Sequence, residues 1–216
     1  MNRRTFITAP LGWALVRGMN GAAAQDPPSM PREDARAPER FRVRLTTTKG
    51  DIVIDCTRAW APLGADRFYT LVTAGYYDDS ALFRVVAGKW AQFGISGTPA
   101  VAQAWRHRAI PDDPFRESNV QGTVAFAFAI PNGRTTQVFI NLVDNHLTHD
   151  KEPFVPFGRI VEGWDAVEGL YDGYGETALG GIRAGRQDPL FEQGNAYLRK
   201  NFPRLDYIRR ARVEER

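Results

Sequence analysis

The sequence predicts a mainly β fold, a closed antiparallel barrel capped by two helices. Three observations point there. Seven or eight short apolar runs follow one another along the chain, several alternating apolar with polar residues, and a period of two marks a half-buried strand. Twenty glycines and 14 prolines set turn signals between most of these runs. Two stretches read as main helices. At 216 residues, 43% of them hydrophobic, the chain can bury a full core, and this strand count with short turns suits a barrel.

Taken in order, residues 1–24 read as an export signal. Arg3 and Arg4 precede a short, weakly apolar stretch from Ile7 to Val16, and Ala22-Ala23-Ala24 offers small residues for cleavage before Gln25. Twin arginines ahead of a modest apolar region resemble a twin-arginine export signal, so a periplasmic or secreted location is expected. The stretch is too short to span a membrane. Residues 25–40, with four prolines and mixed charges, read as a solvated linker without a core of its own. Arg3, Arg4 and Arg17 account for the whole formal charge of +3. A mature chain near neutrality gives no electrostatic reason to expect nucleic acid or an anionic membrane as partner. The single cysteine, Cys56, excludes an internal disulfide and a cysteine-cluster metal site.

The domain is expected over residues 41–216. Phe41, Val43 and Leu45 alternate with arginines as one strand. Lys49-Gly50-Asp51 turns, and Ile52, Ile54 and Cys56 form the second arm of a hairpin. Pro62 opens a helix to about Ala74 with Leu63, Phe68, Leu71 and Val72 as its core face, and Gly75 closes it. Leu82–Val86 and a run with Trp90, Gln92 and Phe93 make a strand pair. Residues 97–121 are loop-rich, with one helical turn near Gln103. Thr123–Ala129, Gln137–Asn141 and Val155–Val161 read as further strands, with a polar loop over 142–153. Gly163–Tyr171 is short and helical, residues 172–186 are glycine-rich, Pro189 to about Asn201 has helical character, and Tyr207–Val213 alternates once more and can close the sheet.

The chain is organised around ALFRVVAGKWAQFG, residues 81–94. A guanidinium inside a strand is costly unless it leaves the core for a groove or a partner. Alternation places Leu82, Arg84 and Val86 on one face, with Phe83 and Val85 on the other. The reading is a cation beside an apolar pocket, with Gln92 as a second polar group.

Phe83-Arg84-Val85-Val86-Ala87-Gly88, the Gln92 that follows, Thr136-Gln137-Val138-Phe139-Ile140, and Phe157–Gly163 resemble the cyclophilin-type peptidyl-prolyl cis-trans isomerases. The resemblance covers about residues 41–165. It implies an eight-stranded barrel with two capping helices, here with a C-terminal extension from about residue 172. It also implies an isomerase that needs no metal, cofactor or covalent nucleophile, and that takes proline-containing peptides or unfolded client proteins; a monomer is expected. Arg84 matches the family's catalytic arginine and Gln92 a residue that holds the substrate backbone. Phe139, Trp90 and Leu147 match positions lining the proline pocket, and Ala127 and Gln137 match positions beside the substrate backbone.

The departures bear on activity. Lys89 stands where the family usually has a pocket-wall phenylalanine, Ala87 replaces a proline, and Phe128 replaces a peptide-holding asparagine. Phe154 falls at the site of a histidine in many members. His146 falls near a tryptophan that contacts cyclosporin in sensitive members, so low cyclosporin affinity is expected. Buried contacts of these kinds are worth about 1–3 kcal/mol each, so the losses add up to reduced turnover. The alternative is a module that keeps the groove and binds proline-containing peptides as a chaperone or scaffold.

Other signals read as structural. His146 and His149 in Asp144–Asp150 are polar loop groups rather than metal ligands. Ser96 lacks the glycine that a nucleophile elbow needs two residues later. Asp78-Asp79 and Asp112-Asp113 are turn and capping acids. Tyr174-Gly175 and Gly180-Gly181 follow no strand that would make a phosphate cradle. Arg209, Arg210 and Arg212 lie on a solvated strand face.

Overall fold

A computed structural model describes residues 34–176 and 186–214. The expected export signal, the first part of the linker and Gly180-Gly181 lie outside these residues. The strands are β1 (Arg40–Thr47), β2 (Gly50–Thr57), β3 (Ser80–Ala81), β4 (Arg84–Val86), β5 (Trp90–Phe93), β6 (Thr123–Phe126), β7 (Val138–Asn141), β8 (Pro156–Glu162) and β9 (Tyr207–Val213). The helices are α1 (Pro62–Thr73), α2 (Pro99–Trp105), α3 (His146–His149), α4 (Trp164–Glu168), α5 (Asp188–Gln193) and α6 (Asn195–Asn201). All strand pairs are antiparallel, in the order β3-β9-β1-β2-β8-β6-β7-β5-β4. The two ends of that order, β3 and β4, are separated by Leu82 and Phe83 alone. Two residues reach only about 7 Å, so the ends of the sheet meet and the sheet curls into a barrel.

Of the run expected as one strand over Leu82–Val86 only Arg84–Val86 is strand, and Ser80–Ala81 just ahead of it pairs separately, which makes nine named strands among the described residues where eight were expected. The break also overturns the expected alternation. Leu82 and Val85 both enter the main core, whereas Phe83 joins a second apolar cluster. Residues 82 and 83 lie outside the pleat, so the period of two does not run through them.

Alternation holds where pairing is continuous. Val43, Leu45, Ile52, Ile54, Val124, Phe126, Val138 and Ile140 point into the main core and are fully buried. Helix α1 closes one opening of this core with Phe68, Leu71 and Val72. Leu63, expected on that face, is exposed; Gly64, Ala65 and Arg67 take the buried positions. The N-terminus of α1 has no local side-chain cap. Instead the Asp113 carboxylate accepts hydrogen bonds from the Leu63 and Gly64 amides, both at 2.9 Å, and from Arg134 Nη1 at 3.0 Å.

The end of the expected linker is not solvated. The amides of Ala35 and Ala37 donate to Thr70 and Asp66 on α1, Asp34 pairs with buried Arg67 at 2.8 Å, and Ala37 enters the core. Composition hid this, because side chains on α1 supply the acceptors that the extended backbone lacks.

Among the described residues there are six helices: α1, α2 near Gln103 and α4 lie where helical character was expected, and the departures are in the other three. The polar loop 142–153 contains α3, and the helical stretch after Pro189 breaks into α5 and α6 at Gly194. Gly194 has φ 59°, and a Cβ there would meet the Gly97 carbonyl oxygen at 2.1 Å. Both helices pack on the barrel's outside through Leu190, Phe191 and Leu198, against Phe83, Ile95 and Ala102. Because β9 follows them and pairs with β1, the expected C-terminal extension is an excursion ahead of the last barrel strand. Among the described residues no helix is long and apolar enough to cross a membrane.

Candidate active site

Strand register assembles the site. Arg84 on β4 is paired with Gln92 on β5, Gln92 with Phe139 on β7, and Phe139 with Ala125 on β6. Directly paired residues share a face, so one row of side chains crosses four strands on the barrel's outer surface. Trp90 shares that face with Gln92. Just beyond the strand ends, the Ala127 amide donates to the Gln137 carbonyl at 2.9 Å and extends the pairing by one step. Gly94 lets these chains approach so closely: its φ is 110°, and a Cβ would meet the Thr136 carbonyl oxygen at 2.3 Å.

The row has a polar end and an aromatic end. Arg84 is 3% exposed and donates from Nη1 to Gln92 Oε1 at 3.0 Å. Gln92 Nε2 donates to Gln137 Oε1 at 2.9 Å. Two further residues, not singled out by sequence, complete the polar chain. Glu176 accepts from Arg84 Nε at 2.9 Å and from Nη2, and Gln187 exchanges hydrogen bonds of 2.8 and 3.0 Å with Gln137. The Trp90 ring stacks against Arg84, its centroid 4.8 Å from the guanidinium carbon.

At the aromatic end, Phe139 is fully buried and Ala127, Phe128 and Phe154 nearly so. Phe128 and Phe154 have ring centroids 4.4 Å apart, and Phe154 meets Phe139 edge-on at 5.4 Å. Leu147, expected to line the pocket, is instead 70% exposed, and His146 is exposed beside it. The pocket position on α3 belongs to His149. Its ring centroid lies 5.3 Å from Phe139, 4.9 Å from Phe154 and 5.5 Å from Trp90. Four residues are too few for helical periodicity to show in sequence which of them turns inward. Lys89, at the β4–β5 turn, is exposed and adds a second cation 5.7 Å from the Trp90 ring.

Burial lowers the His149 pKa against the pull of neighbouring Asp150, favouring neutral imidazole. Asp150 is itself opposed by burial, but hydrogen bonds from the Ser118 hydroxyl and the Asn119 amides hold its carboxyl low. Asn119 Nδ2 also donates to the Phe154 carbonyl at 2.7 Å, so one network ties Asp150, next to His149, to the backbone of Phe154. Among the described residues no group of three or more His, Cys, Asp or Glu converges as a metal site. A fixed cation and an amide bordering an aromatic floor suit a ligand that is polar on one side and apolar on the other.

Comparison with known proteins places the chain in a family. The family model for cyclophilin type peptidyl-prolyl cis-trans isomerase/CLD matches residues 42–181. The chain belongs to this family. It is 35% identical over 138 residues to the peptidyl-prolyl cis-trans isomerase cyp18 of Streptomyces antibioticus, covering 59% of this chain and 81% of that one. It is 28% identical over 130 residues to peptidyl-prolyl cis-trans isomerase A of Dickeya dadantii, covering 58% and 68%. A Cryptosporidium parvum cyclophilin solved in the presence of the dipeptide Ala-Pro superposes with a TM-score of 0.59 at 17% identity, over 81% of this chain and 99% of that one. At that identity the likeness speaks for the cyclophilin fold, which agrees with the mainly β, curled antiparallel sheet expected. Membership likewise agrees with the expectation of an enzyme of the isomerase class. The match ends at residue 181, ahead of α5 and α6 and the strand that follows them.

Proposed function

We propose that this cyclophilin-type protein rotates X–Pro peptide bonds in unfolded client proteins after export, with Arg84 acting on the prolyl nitrogen. The X–Pro bond is held planar by donation of the nitrogen lone pair into the carbonyl, and isomerisation crosses a barrier of about 20 kcal/mol. Rotation out of plane returns the lone pair to nitrogen. A guanidinium N–H aimed at that nitrogen therefore gains strength only as the bond twists, and stabilises the transition state over either planar form. Gln92 and Gln137 hold the peptide backbone. The aromatic floor of Phe139, walled by Trp90, His149 and Phe154, fixes the pyrrolidine ring while the preceding residue turns. No bond is made or broken with the protein, so no nucleophile, metal or cofactor enters the scheme.

The observation that carries this reading is the register pairing of Arg84 with Gln92 and of Gln92 with Phe139, which sets cation, amide and aromatic ring side by side. The test is exchange of a short X–Pro peptide by the chain starting at Gln25. Arg84→Ala is expected to slow it about 100-fold or more per folded molecule, the folded fraction being read from the melting curve. Turnover unaffected by that substitution would exclude the mechanism. The location rests on Arg3-Arg4 and the residues after them. Replacing both by lysine is expected to leave the chain in the cytoplasm.

A second reading, a proline-peptide binding module with little turnover, is favoured by Phe128 packing on Phe154 where a peptide-holding amide was expected. It is supported if the wild type is inert yet binds peptide while Lys89→Phe gains turnover.

A further inference from the structure

The guanidinium that the proposed mechanism requires already has a partner from its own chain. Glu176, in the excursion between α4 and β9, engages it through two parallel hydrogen bonds, Nε to Oε2 at 2.9 Å and Nη2 to Oε1. A bidentate guanidinium–carboxylate pair is the strongest arrangement open to these groups. Its burial is lopsided. The Arg84 side chain is 3% exposed and that of Glu176 is 48% exposed, so the carboxylate reaches the cation from the solvent side, where a substrate would enter. A second contact of the same origin lies at the other end of the polar row, where Gln187 exchanges two hydrogen bonds with Gln137. Neither residue depends on these contacts alone: Tyr174, two positions before Glu176, and Leu190 and Phe191, just after Gln187, pack in the apolar cluster with Phe83, Ile95 and Ala102.

We propose that Glu176 is an autoinhibitory carboxylate, occupying Arg84 in the resting molecule and leaving when an X–Pro peptide binds, with Gln187 holding the far end of the row in the same way. The proposal rests on Arg84 being the group that meets substrate. While Glu176 takes Nε and Nη2, those donors cannot turn to a prolyl nitrogen. The apparent peptide affinity is then the intrinsic affinity reduced by the fraction of molecules in which Glu176 has swung away. Because the carboxylate is half-exposed, salt screens the pair and raises that fraction.

The test compares wild type, Glu176→Gln, Glu176→Ala and Arg84→Ala at low and high salt. Binding of a short X–Pro peptide is followed by NMR titration, and isomerisation of the same peptide by exchange. Both Glu176 variants are expected to bind about three- to tenfold tighter than wild type at low salt, with turnover of sub-saturating peptide rising by a similar factor. Wild type is expected to gain affinity as salt rises and the Glu176 variants are not. Equal affinities, or weaker binding by Glu176→Ala, overturn the proposal whether or not the chain isomerises peptide. Failure of the isomerase reading looks different: turnover is absent from every form, while the change in peptide affinity still decides the role of Glu176. Should a variant melt early, the salt dependence of peptide binding by the wild type decides alone, and a flat or falling profile overturns the proposal.

Discussion

At Trp90 one ring lies near two cations, Arg84 at 4.8 Å and Lys89 at 5.7 Å. Only the first is buried, and the proposed mechanism gives the catalytic part to it alone. Lys89→Phe removes the exposed charge and restores an aromatic wall. It is expected to tighten X–Pro peptide binding by about 0.5–1.5 kcal/mol, read by titration. His149 brings a pH dependence with a definite sign. Its pKa in the folded chain lies below the ordinary 6.5, chiefly because burial disfavours imidazolium. Just below pH 6.5 the unfolded chain therefore binds a proton that the folded chain refuses. The stability contributed is full above that pH and is lost as pH falls through the window. Denaturant midpoints at about pH 7.5 and about pH 5.5 are expected to differ by more in wild type than in His149→Phe. Peptide binding is expected to weaken in the same direction, since a pyrrolidine ring strips further water from the imidazole. Arg84 and Gln92 were legible in sequence because a charge or an amide inside an apolar run demands an explanation. His149, Glu176 and Gln187 were not, because each sits in a polar stretch where a further polar residue demands none.

The helix α1 depends on Asp113, a residue 50 positions from the first amide it caps. Asp113→Ala would leave two helix-terminal amides without their acceptor and deprive fully buried Arg134 of its closest carboxylate. Breaking one partner of such a buried pair costs about 3–5 kcal/mol, which a chemical denaturation curve would register as a lowered midpoint. Gly94→Ala is expected to cost at least as much as a typical core change, about 2 kcal/mol or more. It should also depress turnover by parting Gln92 from Gln137, measured on whatever fraction folds. Most strands could be read from alternation, because one buried face imposes a period of two. The irregular elements could not. Gly194 breaks what reads as one helix because the Gly97 backbone lies against it, and that contact spans nearly a hundred residues.

For the molecule as a whole, the segment after α4 belongs to the barrel's closure as well as to its surface. It carries the second apolar cluster and then delivers β9, which joins β3 to β1. A chain cut before Tyr207 loses the strand shared by β1 and β3, and is expected to lack the dispersed NMR spectrum of the full chain. Sequence showed both the barrel and the presence of additional residues near the C-terminus. The alternation of Tyr207–Val213 marked the last strand, but its pairing with β1, more than 150 residues away, is encoded by no local pattern. The meeting of β3 and β4 across Leu82 and Phe83 has one more consequence. An open sheet presents a rim of unpaired amides and carbonyls on which another extended chain can crystallise as an added strand. Here the two end strands are short, β3 offering two residues and β4 three. On the proposed function, such short ends let the protein grip an unfolded client by side chains at one prolyl bond while offering little template for its β-association.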